Sequence, residues 1–385
     1  MKINYCFYGL GKTGGIRVLL TLASKLAERG HDVSITVPQR RFGYFDINKK
    51  IKVIQGVVPN IIKILDPLFY IHTRGKSKID VLYLQSLLLK LGINLYLDID
   101  HSIYNILPET DIQIATFYPT AFPVSISKAR AKIYHMQHFE TVFTNNEYEK
   151  QRALLSYRLP LKRIANSSWL KSKLKHELGV DADYVPWAID TKIYNTTPVQ
   201  SNRLEGLFRR ENKELYILSL GRSIRWKGLL ELINALKYIK KIKPNLNIKL
   251  ILYGTEPNLK SLYPCEYVYA PSDKELVFLY QNVDMVVIPS WYESFPYPPL
   301  EGMACGTKVV TTKYGVEDYA IDGFNAVIAE PQNIKSLAQS IVKTLTNETL
   351  GENLKHNGPK TAKKFTWKRT TDLIERIYLK ELNKE

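Results

Sequence analysis

The residue types best suited to chemistry lie together in the stretch 290–306, which reads SWYESFPYPPLEGMACG. It contains two carboxylates, Glu293 and Glu301, with seven residues between them. The apolar run 285–288 leads into the stretch and predicts a buried parallel strand that ends in a loop. Three of the six residues 294–299 are proline, so we expect this segment not to be helical.

A helix is expected to begin at about residue 300, with Glu301 in its first turn and Gly306 at its end. A helix N-terminus offers free N–H groups and a positive partial charge to an anion. Backbone donors for phosphate and two placed carboxylates for hydroxyl groups suit a sugar nucleotide. The plainer alternative is a surface loop with two solvated acids.

The stretch resembles the Glu-x7-Glu motif of retaining glycosyltransferases of family 4, which have the GT-B architecture. The resemblance implies that Glu293 contacts the donor sugar and that Glu301 holds the nucleotide ribose. It also implies that Ser294 and Phe295 belong to the donor site. Pro296 stands where the family usually has glycine, and it supplies no N–H for a contact to sugar or phosphate.

The sequence departs from the family pattern at two further places. Gly302 occupies a position where alanine is usual. The segment 184–190, YVPWAID, resembles the family's Val-Pro-Asn-Gly-hydrophobic-Asp, with Trp187 and Ala188 in place of Asn-Gly. We expect the tight turn that glycine favours to be altered there, or filled by the indole ring.

A pair of cations follows another predicted strand, 215–220, in the segment GRSIRWKG. Arg222 and Lys227 lie between the strand end and a helix expected from about residue 229, so they can converge on a diphosphate. The segment resembles the family's Gly-Arg…Lys-Gly phosphate clamp, although two ordinary loop cations remain an alternative. The segment 267–272 resembles the part that receives the nucleotide base, which places Ala270 in the donor site.

The N-terminal residues predict a strand–loop–helix–strand unit of a doubly wound sheet, with strands at 3–8 and 33–37. The helix, 16–28, shows an apolar face, and Gly30 is expected to close it. The resemblance implies that Gly14 and Gly15, in the loop before this helix, face the donor phosphates.

The same loop leaves a dinucleotide site open, because Gly9, Gly11 and Gly14 fit G-x-G-x-x-G between strand and helix. The second strand is followed by Arg40 and Arg41 instead of an acid, which argues against NAD but not against NADP. A tight turn without a ligand is the third interpretation.

Two more strands are expected at 111–117 and 132–136, the second followed by QHFE at 137–140. A histidine at a strand tip is well placed to hydrogen-bond a sugar, and some family members have Gln-x-Tyr-Glu here. The resemblance therefore assigns His138 to the donor sugar and Glu140 to the acceptor side. A structural histidine is the alternative.

A chain of 385 residues is too long for one ordinary core, so two domains are expected. We place an acceptor-side Rossmann-like domain at 1–194 with the C-terminal helix, about 367–385, returning to it. The nucleotide-sugar-binding domain occupies 195–366. The resemblance implies a GT-B fold, in which two such domains face a central cleft.

The composition favours some classes of binding partner over others. The formal charge is +17, and residues 1–200 carry 27 Lys and Arg against 16 Asp and Glu, so an anionic partner is expected. Apolar runs with interspersed cations at 61–91 predict either a peripheral contact with an anionic membrane or a core helix with solvated lysines. Nucleic acid is disfavoured because no zinc-finger spacing or RNA-binding aromatic motif occurs.

The cysteines, the apolar runs and the N-terminal residues bear on the cellular compartment of the protein. Three distant cysteines argue against a disulfide framework or a metal site, no apolar run reaches membrane-spanning length, and the N-terminus is typical of a strand and not of a signal peptide. A cytoplasmic protein is expected, with a peripheral location at the inner membrane face as the alternative.

With the resemblance, these observations predict a metal-independent glycosyltransferase with no cofactor, moving a sugar from a nucleotide-diphosphate sugar to a glycan or lipid-linked acceptor. The resemblance implies that the anomeric configuration is retained. Arg222 and Lys227 would stabilise the charge growing on the diphosphate, while Glu293 and His138 would orient the sugar. The alternatives are an NADP-dependent oxidoreductase and a non-catalytic protein that binds sugar nucleotides or polyanions.

Overall fold

The protein is described here by a computed structural model covering residues 1–11, 13–38, 47–56, 96–144, 146–208, 214–256, 259 and 263–384. The chain divides into two compact units. The first comprises Met1–Asn166, Leu170–Val185 and Thr371–Glu385, and the second comprises Ser167–Trp169 and Pro186–Thr370. The chain therefore passes from the first unit to the second after Val185, and its C-terminal residues belong to the first.

The first unit is an α/β layer structure built on a parallel sheet. Its strands are β1 (Lys2–Cys6), β2 (Asp32–Val37), β3 (Lys52–Gln55), β4 (Ile112–Ala115), β5 (Ala131–Met136), β6 (Lys162–Ala165) and β7 (Asp183–Tyr184). Among the described residues they run in the order β3-β2-β1-β4-β5-β6-β7. The helices between them are α1 (Gly14–Glu28), α2 (Tyr96–Ile106), α3 (Tyr118–Ser125), α4 (Glu147–Ser156) and α5 (Ser168–Leu178).

The second unit repeats this architecture. Its strands are β8 (Leu215–Leu220), β9 (Ile248–Gly254), β10 (Cys265–Tyr269), β11 (Met285–Ile288), β12 (Lys308–Thr312) and β13 (Val327–Ala329). They pair in parallel in the order β10-β9-β8-β11-β12-β13. Its helices are α6 (Leu229–Ile242), α7 (Asp273–Asn282), α8 (Tyr297–Ala304), α9 (Ile334–Thr346) and α10 (Glu348–Ala362). Both sheets are doubly wound, which confirms the predicted fold class.

The last helix, α11 (Trp367–Leu382), begins with residues of the second unit and continues into the first. The Tyr378 hydroxyl meets the Tyr5 hydroxyl of β1 at 3.0 Å, and both side chains are buried. At the surface, Arg29 forms ion pairs with Asp372 and Glu375 of α11. The expected return of the C-terminal helix is thus confirmed.

Replacing Tyr378 by Phe should lower the free energy of unfolding by about 1–3 kcal/mol, because the buried Tyr5 hydroxyl then loses its partner. Denaturant unfolding followed by circular dichroism measures the change. Leu379→Ala on the same helix alters a side chain that is 49% exposed, and it should change stability by no more than about 0.5 kcal/mol. Equal stability of Tyr378→Phe and wild type would contradict the contact.

The prediction that 294–299 is not helical was wrong at its C-terminal end. Helix α8 begins at Tyr297, and the two prolines after it lie in its first turn. Proline is tolerated there because first-turn N–H groups have no partner within the helix and the proline φ suits it. Glu301 therefore lies in the second turn and not in the first.

Two predictions fall outside the described residues, namely the NADP-phosphate role of Arg40 and Arg41 and the membrane-facing run 61–91. Of the helices in the described ranges, none combines the length and the apolar character that crossing a membrane requires.

Candidate functional site

The predicted donor-site residues of the second unit follow the carboxyl ends of its strands. Arg222 follows β8, Ala270 follows β10, and Glu293 follows β11. Because these strands are parallel within one sheet, the three residues emerge at the same edge. This edge is where ligands bind in open α/β sheets.

The predicted cation and carboxylate meet directly at the tip of β11. Lys227 Nζ lies 2.5 Å from Glu293 Oε1, and the two side chains are 22% and 14% exposed. The Ser290 hydroxyl donates to the same carboxylate oxygen over 2.8 Å. Sequence reasoning missed Ser290, although a hydroxyl residue at a strand tip three positions before a predicted site carboxylate is a usable signal.

A close backbone approach positions Lys227. Gly228 has φ +71°, and a Cβ there would lie 2.0 Å from the carbonyl oxygen of Pro289. The Trp291 N–H donates to the Trp226 carbonyl over 2.7 Å, which fastens the 3-10 turn Arg225–Lys227 to the loop after β11. Only glycine fits this contact, and the contact brings Lys227 to Glu293.

Glu293 is held from its other side by the loop after β12. Its N–H donates to the Tyr314 carbonyl over 3.2 Å. Gly315 has φ +89°, and a Cβ there would lie 2.2 Å from the Glu293 carbonyl oxygen. The backbone of Glu293 is therefore fixed between two loops.

Glu301 lies on α8 and is largely buried. Its Oε2 accepts a hydrogen bond from the Tyr280 hydroxyl at 2.8 Å. Burial raises the pKa of the Tyr319 hydroxyl well above its usual value, and the carboxylates of Glu293 and Glu301 are among the charges that raise it further. Both predicted glutamates therefore lie within electrostatic reach of one buried side chain.

Arg222 has a partner that sequence reasoning missed. Its guanidinium lies 3.4 Å from Glu256 Oε1, and the second oxygen of Glu256 accepts from the Ser223 N–H over 2.9 Å. Glu256 follows Gly254 and Thr255 at the end of β9. An acid at the end of a neighbouring parallel strand was the available signal.

The other residues predicted to contact the donor, Ala270, Ser294 and Phe295, lie in different environments. Ala270 has φ +45°, a strained conformation for a non-glycine residue, and its N–H donates to the Gly254 carbonyl. The Ser294 hydroxyl lies 3.1 Å from that of Ser167, and both residues are buried. The Phe295 side chain packs in an aromatic cluster with Tyr297, Tyr319 and Phe365.

In the first unit, the glycine loop leads into α1, which begins at Gly14 and is capped by Thr13. A Cβ on Gly15 would lie 2.1 Å from Gln137 Oε1, so α1 approaches the tip of β5 closely. The amide of Gln137 also donates to the Thr116 carbonyl over 3.3 Å. Gln137, which was noted only as part of QHFE, thus joins the ends of β4 and β5 to α1.

His138 and Glu140 both follow β5, but the position of Glu140 does not suit its predicted contact with the acceptor. The His138 ring is buried, with Nδ1 at 3.3 Å from the Phe139 carbonyl oxygen. Glu140 is only 2% exposed and accepts hydrogen bonds from two groups of the protein. An acceptor-side contact needs an accessible carboxylate, which this geometry does not present.

Within the described ranges, no group of three or more His, Cys, Asp and Glu side chains is arranged to hold a metal ion.

Comparison with known proteins supports the sequence resemblance. Residues 207–361 match the family model described as glycosyl transferases group 1. An uncharacterized glycosyltransferase of Methanocaldococcus jannaschii is 30% identical over 193 residues, which cover 46% of this chain and 54% of that protein. The N,N'-diacetylbacillosaminyl-diphospho-undecaprenol alpha-1,3-N-acetylgalactosaminyltransferase of Campylobacter jejuni is 27% identical over 201 residues, 50% of this chain and 51% of that protein. The chain spans about half the length of these curated relatives.

The fold has a solved counterpart. The crystal structure of HepE from Anabaena in complex with UDP and glucose aligns with a TM-score of 0.70 at 16% identity, covering 99% of this chain and 100% of that one. At this identity the likeness shows the fold, which is that of the GT-B glycosyltransferases. Residues 207–361 therefore match the glycosyl transferases group 1 family, and the chain has the GT-B fold.

Proposed function

We propose that the protein is a glycosyltransferase that moves a sugar from a nucleotide-diphosphate sugar to a glycan or lipid-linked acceptor. The observation that carries the proposal is the contact of Lys227 with Glu293 and Ser290 at the carboxyl edge of the group 1 domain. A cation there can bind a diphosphate, and a fixed carboxylate beside it can accept hydrogen bonds from sugar hydroxyls.

The roles follow from charge and position. As the glycosidic bond breaks, negative charge grows on the departing diphosphate, and Lys227 and Arg222 would stabilise it. These cations face Glu293 and Glu256, so a diphosphate would compete with the carboxylates for them. Release from Lys227 would leave Glu293 Oε1 available to the sugar, which couples donor binding to the alignment of the sugar.

Several finer features belong to the proposal as extensions of the family resemblance. They are retention of the anomeric configuration, catalysis without a metal, a ribose contact by Glu301, a donor-sugar contact by His138 and phosphate contacts by Gly14 and Gly15. The acceptor is proposed to be a glycan or a lipid-linked sugar; the Campylobacter relative carries a diphospho-undecaprenol in its name. Contact with an anionic membrane stays a prediction.

A nucleotide screen tests the proposal. A diphosphate nucleotide present at 100 times its Kd should stabilise the protein by about 2.7 kcal/mol, seen as a raised melting temperature. UDP, GDP and ADP are the probes, NADPH tests the oxidoreductase alternative, and tripolyphosphate controls for non-specific anion binding. Stabilisation by NADPH alone, or equally by tripolyphosphate and every nucleotide, would overturn the proposal.

A further inference from the structure

We propose that Glu140 is a positioning residue whose carboxyl group fixes the turn that carries His138. The turn links the end of β5 to the 3-10 helix Glu140–Phe143. The inference rests on the proposed function only for the role given to His138, and the geometry of the turn stands without it.

Hydrogen bonds from Glu140 join three elements. Its Oε2 accepts from the N–H of Tyr118, the first residue of α3, over 2.7 Å, and from the Tyr134 hydroxyl of β5. Its own N–H donates to the hydroxyl of Tyr157, which caps α4, over 2.5 Å. The Glu140 side chain and backbone therefore hold the turn against β5, α3 and α4.

Aromatic stacking carries this restraint to His138. The Phe139 ring stacks on Tyr157 with centroids 5.6 Å apart, and Tyr157 stacks on Tyr134 at 6.1 Å. His138 precedes Phe139, and its Nδ1–H donates to the Phe139 carbonyl. A displacement of Glu140 would release Tyr157 and Phe139, and the histidine ring would move with them.

The environment favours the neutral form of this acid. Both donors reach Oε2, and the carboxyl group is almost fully buried. Burial raises the pKa of the Glu140 carboxyl to about 8, against the opposing effect of the two hydrogen bonds. Ionisation above that pH would place a negative charge between tyrosine rings and strain the turn.

Other ionisable groups surround this turn and must be separated from Glu140. The tyrosines that touch it, Tyr134 and Tyr157, have pKa values raised well above the usual range by burial. The charged groups on the neighbouring helices are Asp100 of α2, Glu149 and Arg152 of α4, and Lys173, whose Nζ lies over the Phe139 ring. Asp100 pairs with Arg152, and burial raises its pKa to about 6, which is below the inflection near pH 8 that Glu140 should cause.

The sign of the stability effect follows from the raised pKa. An unfolded glutamate ionises near pH 4.5, whereas folded Glu140 keeps its proton up to about pH 8. The folded state therefore binds the extra proton between these values, and this group makes stability fall as pH rises through that window. Above about pH 8 the contribution is constant.

The test uses Glu140→Gln, which keeps the shape and hydrogen-bonding of the neutral acid but cannot ionise. The NMR signal of His138, assigned among the seven histidines by comparison with His138→Gln, should show an inflection near pH 8 in wild type and none in Glu140→Gln. The melting temperature of Glu140→Gln relative to wild type should rise between pH 4.5 and 8 and then level off. Neither readout needs transferase turnover, so failure here is distinct from failure of the proposed function.

Two variants make the test specific. Tyr134→Phe removes a donor that favours the ionised acid, and the inflection should move to higher pH. Glu147→Gln makes the same exchange at an exposed site on α4 and should leave the wild-type inflection unchanged. An absent inflection in wild type, or the same inflection in Glu140→Gln, would overturn the proposal.

Discussion

Replacing Glu293 by Gln should lower kcat about 10²–10³-fold, the range found when one preorganised electrostatic group is removed from an active site. The amide has the size of the carboxylate but no charge, so it cannot support positive charge on the sugar as the diphosphate leaves. Lys227, no longer paired with Glu293, should bind the diphosphate at least as tightly as in wild type. Nucleotide release from a sugar donor that carries the nucleotide found in the screen, with water as the acceptor, measures kcat. Titration with the free nucleotide measures affinity.

A matched exchange controls for the loss of one charge in the same unit. Glu330 forms an ion pair with Lys313 at 2.8 Å and is 60% exposed, so Glu330→Gln should leave kcat within about twofold of wild type. If Glu293→Gln retains wild-type turnover, the carboxylate has no part in catalysis. If it loses nucleotide affinity instead of turnover, its role is in binding and the assignment is wrong.

Replacing Gly228 by Ala should lower the free energy of unfolding by about 3 kcal/mol or more and should also reduce turnover. A positive φ alone costs about 1–2 kcal/mol for a residue with a Cβ. The added methyl would also lie 2.0 Å from the Pro289 carbonyl oxygen, so the backbone before Ser290 and Glu293 must shift. Denaturant unfolding measures the first effect and donor turnover the second.

Gly323 is a control that separates the cost of a positive φ from the cost of the steric clash at Gly228. It has φ +72°, nearly that of Gly228, but a Cβ there meets nothing within 4 Å. Gly323→Ala should therefore show only the cost of the positive φ, about 1–2 kcal/mol, with turnover unchanged. Equal stability losses in the two variants would mean that the loop after β11 yields freely and does not position Lys227.

The sequence predicted the fold well because hydrophobic periodicity and strand–loop–helix order determine a doubly wound sheet locally. The strands β8 and β11 lie where the apolar pattern puts them, and helix α1 begins two residues before its predicted start. The start of α8 was misplaced because proline was treated as a helix breaker, although it breaks only the interior of a helix.

The residue types of the candidate site could be predicted from the sequence, but the contacts between those residues were harder to predict. Lys227 and Glu293 were both identified, but their contact depends on Gly228 and Gly315, where close backbone approaches join segments distant in sequence. The burial of Glu140 depends on Tyr118, Tyr134 and Tyr157, which lie on three different elements. A local pattern in one sequence does not show that residues on distant elements come together in this way.

The central claim is that Lys227, at the tip of β11, holds the diphosphate of a sugar nucleotide. Calorimetric titration of UDP, GDP and ADP into wild type and Lys227→Met tests it most directly. The account predicts that at least one of these nucleotides binds wild type and binds Lys227→Met about 10–100-fold more weakly, as expected for losing a hydrogen bond worth 1.5–3 kcal/mol to a charged group. Identical affinity in a folded Lys227→Met protein would contradict the account.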